Sequence, residues 1–223
     1  MPRLWLLLAL PLLAFPARAR AFWLLGFSSA ETQPPGTAGF IGGTGGQLTE
    51  VRGALSYTPF LAHAGLRVGL LPDLDIGYRL TTVALPYNEG GPTLGGQLDL
   101  KLRLTPEGAA WRFAVGADGA LAWLDLAGSS ELAWSPGGFA LLTHALGRGV
   151  DGSLEARYAY TAVPGPGNDL HAIGGSAGLK IDLGAGAALR PELGAFDFVG
   201  QLRGATANGW GVQYGAVLSA RAW

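Results

Sequence analysis

The sequence predicts an all-β fold, an up-and-down antiparallel transmembrane β-barrel of about ten strands, with a range of roughly eight to twelve. Three observations predict it. Apolar and polar residues alternate with period two in segment after segment from residue 47 onward. Turn signals separate those segments, short ones alternating with longer polar ones. Glycine is abundant, 37 of 223 residues, which disfavours long helices because each interior glycine costs about 1 kcal/mol relative to alanine.

The chain opens with an expected signal peptide over residues 1–21. Arg3 is a short positive start, an apolar run extends from Leu4 to Phe15, and Ala17-Arg18-Ala19 or Ala19-Arg20-Ala21 offers a small-x-small cleavage site. The mature start is expected near Phe22. A spanning helix wants about 20 apolar residues, and Arg18 and Arg20 interrupt this run too early. No later segment is long and apolar enough for such a helix, so a membrane-embedded mature chain must cross as strands. Residues 22–46, rich in Gly, Pro and Thr from residue 31, read as a periplasmic lead-in or a first strand. Residues 47–223 read as the barrel. The first strand is expected at 47–58, or at 36–45 with the following residues as loop.

The alternation is clearest over residues 94–104. Leu94, Leu98, Leu100, Leu102 and Leu104 share one face, while Gln97, Asp99, Lys101 and Arg103 share the other. A strand separates these residues cleanly and a helix scatters them. At ~3.3 Å per residue and a tilt of ~40°, the segment covers an apolar band of about 25 Å. Elsewhere Ala64, Leu66, Val68 and Leu70 oppose His63 and Arg67, and Leu74, Ile76, Tyr78 and Leu80 oppose Asp75, Arg79 and Thr81. Leu154, Ala156, Tyr158 and Tyr160 oppose Glu155 and Arg157, and Ile173, Ala177, Leu179 and Ile181 oppose Ser176, Lys180 and Asp182. The last strand sets Trp210, Val212, Tyr214, Ala216 and Leu218 against Gln213, Ser219 and Arg221. Residues 134–146 fit less well, because Pro136 interrupts them and both faces are equally apolar. Tight turns are expected at Pro72-Asp73, 105–108, 147–151 and 184–186, and longer loops at 86–93, 127–131, 164–169 and 200–208. An even strand number leaves both termini on the periplasmic side.

Aromatic residues fall near the expected strand ends. Trp111 and Trp223 suit one membrane interface, and Tyr87, Tyr160 and Trp210 the other, where amphipathic rings favour the headgroup depth. Together with the leader, the strands and the turn rhythm, this pattern resembles a small bacterial outer-membrane β-barrel over residues 36–223. The resemblance implies a C-terminal aromatic read by the barrel-assembly machinery, and Trp223 matches it. Counting back by twos from Trp223 reaches Arg221, Ser219, Val217 and Gly215, the polar face. Either a bulge shifts the final residues or Trp223 is a weaker signal. The resemblance also implies outer-membrane lipid and periplasmic chaperones as partners.

Alternation alone fits a soluble lipocalin-like barrel with its apolar face inward and an apolar ligand within. Apolar-out is favoured by the mixed charges of the other face. Arg67, Asp75, Arg79, Asp99, Lys101, Arg103, Glu155, Arg157, Lys180 and Asp182, with Arg190 and Glu192, carry signs that pair off inside one closed lumen. About ten strands make that lumen narrow, either a salt-bridged plug or a thin polar path, since wide channels need about sixteen. If the barrel conducts, Arg67, Arg79, Arg103 and Arg157 set a modest anion preference.

Composition excludes other classes. Net charge is −1 with 14% charged residues, which gives nucleic acid no basic field, and zero cysteines exclude thiolate metal sites. His63, His144 and His171 show no metal-ligand spacing, and Asp73 and Asp75 flank an ordinary tight turn. Residues 174–178 match G-x-S-x-G, but that elbow needs a strand-to-helix turn and a later histidine, and none follows His171. Residues 42–46 lack the Lys-Ser/Thr of a phosphate loop and read as a flexible turn or glycine-rich strand. A rim lipid hydrolase built on His171 is the enzymatic alternative, although Ser176 lies ~16 Å along the strand from it. The expected function is non-enzymatic, a structural barrel or narrow small-solute pore, with no cofactor.

Overall fold

The computed structural model describes residues 25–51, 53–83, 93–126, 129–162, 164, 167–202 and 204–222. The leader over 1–21, Tyr87 and Trp223 lie outside the described residues. The strands are β1 (Ala38–Val51), β2 (Ala54–Leu71), β3 (Leu74–Val83), β4 (Thr93–Arg103), β5 (Trp111–Leu126), β6 (Ser129–Gly147), β7 (Val150–Ala162), β8 (Asp169–Gly184), β9 (Ala187–Leu202), the two-residue β10 (Ala205–Thr206) and β11 (Gly209–Ala222). Each long strand pairs antiparallel with its neighbours in chain order, and β1 pairs with β11 along its whole length, from Ala38↔Ala222 to Val51↔Gly209. The ten long strands thus close into an up-and-down barrel with no free edge. β10 only folds back on the end of β9.

The first strand spans the expected 46/47 boundary. The glycine-rich stretch 42–46 is strand, and the odd-numbered positions from Ile41 to Val51 face the lumen throughout; the register irregularity opposite Gly45 and Gln47 comes from an extra residue of β2 between Thr58 and Leu61. No single period-two frame covers residues 36–58 because β1 ends at Val51 and β2 begins at Ala54, and odd positions of the first pair with even positions of the second, as Thr49 does with Ser56. Residues 54–58 belong to β2. The weakly patterned 134–146 lies in β6, which at 19 residues is the longest strand. Pro136 pairs with Gly119 of β5, and the β6–β7 ladder passes from Trp134 to Gly137 in unchanged register. Proline's missing N–H is tolerated because the ladder resumes on either side of it.

The connections keep a looser rhythm than expected. The rim carrying the start of β1 and the end of β11, here the terminal rim, has two-residue turns at 72–73, 148–149 and 185–186, but a longer link at 104–110. At the far rim, β1 ends at Val51 and β2 begins at Ala54, and β5 runs to Leu126 with β6 beginning at Ser129, inside the loop expected over 127–131. Leu126 and Ser129 already face each other across that hairpin.

The two faces of the wall are opposite in chemistry. Leu55 (66% exposed), Phe60 (76%), Leu98, Leu100, Leu102, Leu121, Leu154, Ile173, Leu193 and Leu218 point outward. Asp75, Arg79, Thr81, Gln97, Lys101, Glu155, Arg157, Glu192 and Gln213 are buried inside. An apolar-inward barrel is therefore not what forms. Along β11 the alternation runs without irregularity against both neighbours, so Val217 and Gln213 stay lumenal while Leu218 and Tyr214 stay outside.

Candidate functional site

The lumen is occupied by the chain's own N-terminal segment. From the start of β1 the chain turns back into the barrel, and residues 37 to 25 run from the terminal rim towards the middle. At the rim, the amide of Gly36 donates to the Gly69 carbonyl (2.9 Å) and the amide of Gly69 donates to the Thr37 carbonyl (3.0 Å). Thr32 Oγ1 donates to the Pro72 carbonyl at 2.8 Å, and the amide of Gln33 to Asp75 Oδ2 at 3.2 Å. Deeper in, the amide of Ala30 donates to Thr143 Oγ1 (2.9 Å), and Lys101 Nζ donates to the carbonyls of Ser29 (2.8 Å) and Glu31 (2.5 Å). At the innermost described point, the Glu192 carboxylate accepts the amides of Gly26 (3.1 Å) and Phe27 (2.5 Å), and Arg79 donates to the Leu25 carbonyl. Phe27 has φ 45°, a conformation costly for a bulky residue, and the two amides converging on Glu192 hold it there.

An irregular backbone inside a barrel needs such partners, because each buried unsatisfied amide or carbonyl costs ~1–3 kcal/mol. The wall supplies apolar sockets too. Leu25 and Phe27 (4% exposed) cluster with Val217 and Ile41, and Phe27 meets His63 edge-on at 4.9 Å. Ala30 packs against Ala114, Phe139 and Leu141. This second socket is the reason both faces of β6 are apolar: one meets the exterior and the other meets the segment.

Glu31 is the segment's only carboxylate among the described residues. It pairs with Arg112 and with Lys180 Nζ (2.7 Å), and these two cations also hold Asp151 (2.7 and 3.7 Å). Burial pushes the Glu31 carboxyl up, but Lys180, Arg112 and Arg190 together hold it below the ordinary value of 4.5. A carboxylate depressed on docking stabilises the docked state above its undocked value, and that contribution is lost as pH falls through the docked value. Acidification below 4.5 is therefore expected to loosen the segment, read as faster proteolysis within residues 25–33. Glu31→Gln is expected to remove this step. An unchanged pH profile in that variant would exclude Glu31 as its origin.

Most of the expected lumenal residues fall into ion-paired or hydrogen-bonded clusters inside the barrel. Arg67 pairs with Asp75 (0% exposed) and Asp99 (2.6 Å), and Lys101 Nζ stands 3.4 Å from Asp75. Arg157 pairs with Asp118 and with Glu155 (2.7 Å), its guanidinium 4.8 Å from the Phe139 ring centroid. Arg103 reaches Asp73 of the β2–β3 turn at 2.7 Å. Arg79 donates to Gln97 and to the segment. Lys180 holds Glu31, whereas Asp182 sits exposed at the rim and accepts the amide of Gly184 at 2.9 Å. Glu31, Arg112, Asp118, Asp151 and Glu192 complete these clusters. Of these, Arg112 and Asp118 share the even-numbered face of β5, the signal by which they are found.

Of the interface aromatics, Trp111 lies outside near the terminal rim and stacks on His144 (4.1 Å, 17°). Trp210 is exposed near the far rim, and Tyr160 there contacts Trp134 (6.1 Å) and His171 (5.1 Å). His171 faces outward, its Nδ1 2.7 Å from the Tyr158 hydroxyl and its Nε2 3.6 Å from Asp169. Ser176 faces the lumen and donates to Glu192 at 2.5 Å. The wall of the barrel separates that serine from that histidine. Among the described residues no cluster of three or more His, Asp or Glu side chains is arranged to hold a metal.

A closed barrel with an apolar exterior and an ion-paired interior is a membrane-spanning β-barrel of the outer-membrane type, here with its own N-terminal segment lodged in the lumen. No family model and no curated protein matches the chain. Among solved structures it is similar to the outer membrane protease OmpT from Escherichia coli, at 12% identity and a TM-score of 0.45, covering 87% of this chain and 100% of that one. It is also similar to an outer membrane channel from Pseudomonas putida F1 (10%, TM-score 0.45, 85% and 97%) and to the N-terminal β-barrel domain of Pseudomonas aeruginosa OprF (12%, TM-score 0.34, 84% and 99%). At these identities and scores the likeness adds nothing about activity, and the assignment rests on the barrel's own closure and polarity.

Proposed function

We propose that this protein is a non-enzymatic barrel of a bacterial outer membrane, a narrow small-solute pore held shut by its own residues 25–33. In this reading residues 1–21 export the chain, and periplasmic chaperones and the barrel-assembly machinery deliver it. Outer-membrane lipid then covers the apolar wall, and the terminal rim faces the periplasm. The observation that carries the reading is the mode of closure. A purely structural barrel of this width fills its lumen with wall side chains. This one leaves room for a separate strip of chain and ties it down through exchangeable hydrogen bonds and ion pairs.

The test compares the full processed chain with one lacking residues 22–33 in planar bilayers. The full chain is expected to be closed for most of the recording. The deletion is expected to raise steady current by roughly tenfold or more, since a bias of ~1.4 kcal/mol already shifts an open–closed equilibrium tenfold. Both proteins must first show the gel-mobility shift on boiling that a closed barrel gives. A deletion that assembles and still does not conduct would leave a structural barrel as the function.

A further inference from the structure

The N-terminal segment does not fill the lumen evenly. It is pinned by Lys101, Arg112 and Thr143 on one side, and along β1, β9 and β11 it leaves a cavity of about 360 Å³ that reaches the terminal rim at Gly186 and Arg221. Cations outnumber carboxylates among its lining side chains, with Arg67, Lys101, Lys180, Arg190 and Arg221 on the positive side. Most of these cations are already committed. Arg67 has two aspartates, Lys101 has the segment's carbonyls, and Lys180 has Glu31 and Asp151.

Arg190 differs. Its Nε donates to Ser219 Oγ at 3.1 Å, and among the described residues it makes no ion pair. Ser219 also lines the cavity, so this bond holds the guanidinium against it and leaves the two terminal NH2 groups for a ligand. Arg221, at the mouth, likewise makes no ion pair among the described residues. A planar guanidinium held by one bond and lacking a carboxylate partner is suited to a carboxylate or phosphate, which it grips with paired N–H bonds. The volume suits a small molecule.

We propose that this cavity binds a small solute bearing a carboxylate or phosphate, anchored on Arg190 and admitted past Arg221. Glu31 is its tethered competitor. The segment's carboxylate, which lines the same cavity, occupies Lys180 and lies within electrostatic reach of Arg190. An incoming anion that draws Lys180 away from Glu31 weakens the segment's hold. The solute class of the proposed pore is then anionic. This last step rests on the pore reading, whereas binding itself does not.

The experiment is titration calorimetry on the folded, processed chain in detergent, with inorganic phosphate and separately succinate as probes, at ~0.15 M NaCl so that exposed charges are screened. Saturable binding of at least one probe is expected. Arg190→Gln should weaken it by about tenfold or more, the loss of one charge-assisted paired contact. Glu31→Gln should tighten it by a few-fold, the opposite sign, because it releases Lys180 from the segment's carboxylate. Arg221→Gln should weaken it by roughly twofold, as an exposed charge does. Should R190Q fail to show the heat-dependent mobility shift, the opposed signs of E31Q and R221Q carry the same contrast. The proposal is overturned if neither probe binds saturably, if a folded R190Q binds like the parent, or if E31Q weakens binding. Saturable binding in a chain that never conducts would defeat the pore reading and leave the site standing.

Discussion

Replacing Arg157 by methionine is expected to lower the stability of the folded barrel by about 3–5 kcal/mol, the cost of removing one partner from a buried ion cluster. Arg157 and its two partners, Asp118 and Glu155, have side chains only 3–4% exposed. Methionine keeps much of the volume and the contact with Phe139, so the loss reports charge rather than packing. It strands two carboxylates in the middle of the lumen, one of which, Glu155, already lies against the path of the segment at Gly26. The measurement is urea unfolding in lipid vesicles, followed by tryptophan fluorescence and by the heat-shifted gel band. Adding Asp118→Asn and Glu155→Gln to the same chain is expected to recover most of the loss, because replacing a whole buried cluster by neutral groups is far cheaper than breaking it. A loss below ~1 kcal/mol in the single variant would mean that water screens this layer as it screens an exposed pair.

Gly69→Val is expected to push the N-terminal segment off the terminal rim and open the barrel nearly as far as deletion does. Gly69, on β2, lies beside the point where the chain passes from the lumen into β1. A Cβ at this position would lie 2.2 Å from the Pro34 carbonyl oxygen and 2.3 Å from that of Gln33, both backbone atoms that no rotamer change can move. The valine therefore breaks the exchange between Gly69, Gly36 and Thr37 and lifts Gln33 from Asp75. The β2–β3 pairing is irregular beside Gly69, so the wall itself tolerates the branch better than the segment does. Bilayer current and protease cleavage within residues 25–33 should rise together. In the chain lacking residues 22–33 the same substitution should add nothing. A closed, protease-resistant G69V would show that the segment is held from its inner end, at Glu192 and Arg79, and not at the rim.

The wall was legible in the sequence because it obeys a local rule. Period-two alternation at residues 94–104, 154–160 and 173–182 states which residue faces which way, and opposite signs on one face state that this face is enclosed. The failures have equally local causes. The first hairpin turns between Val51 and Ala54 inside the expected first strand, and β6 begins at Ser129 inside the loop expected over 127–131. The ion pairs were less legible. Arg157 with Asp118, or Arg112 with Glu31, joins residues 39 and 81 positions apart, and only closure of the barrel brings them together.

Residues 25–33 carry no period at all, because an irregular strip that borrows its hydrogen bonds from a surrounding wall has no repeat of its own to display. Leu25, Phe27 and Ala30 look like a nondescript lead-in until Val217 and Leu141 stand opposite them. The sequence by itself determined the antiparallel wall, its inverted polarity and the narrowness of its lumen, all of which follow from alternation and strand number. Only the tertiary structure decided that the lumen is occupied, which arginines are neutralised, and that Arg190 is left facing a cavity. Those facts depend on where distant strands and a patternless segment meet in space.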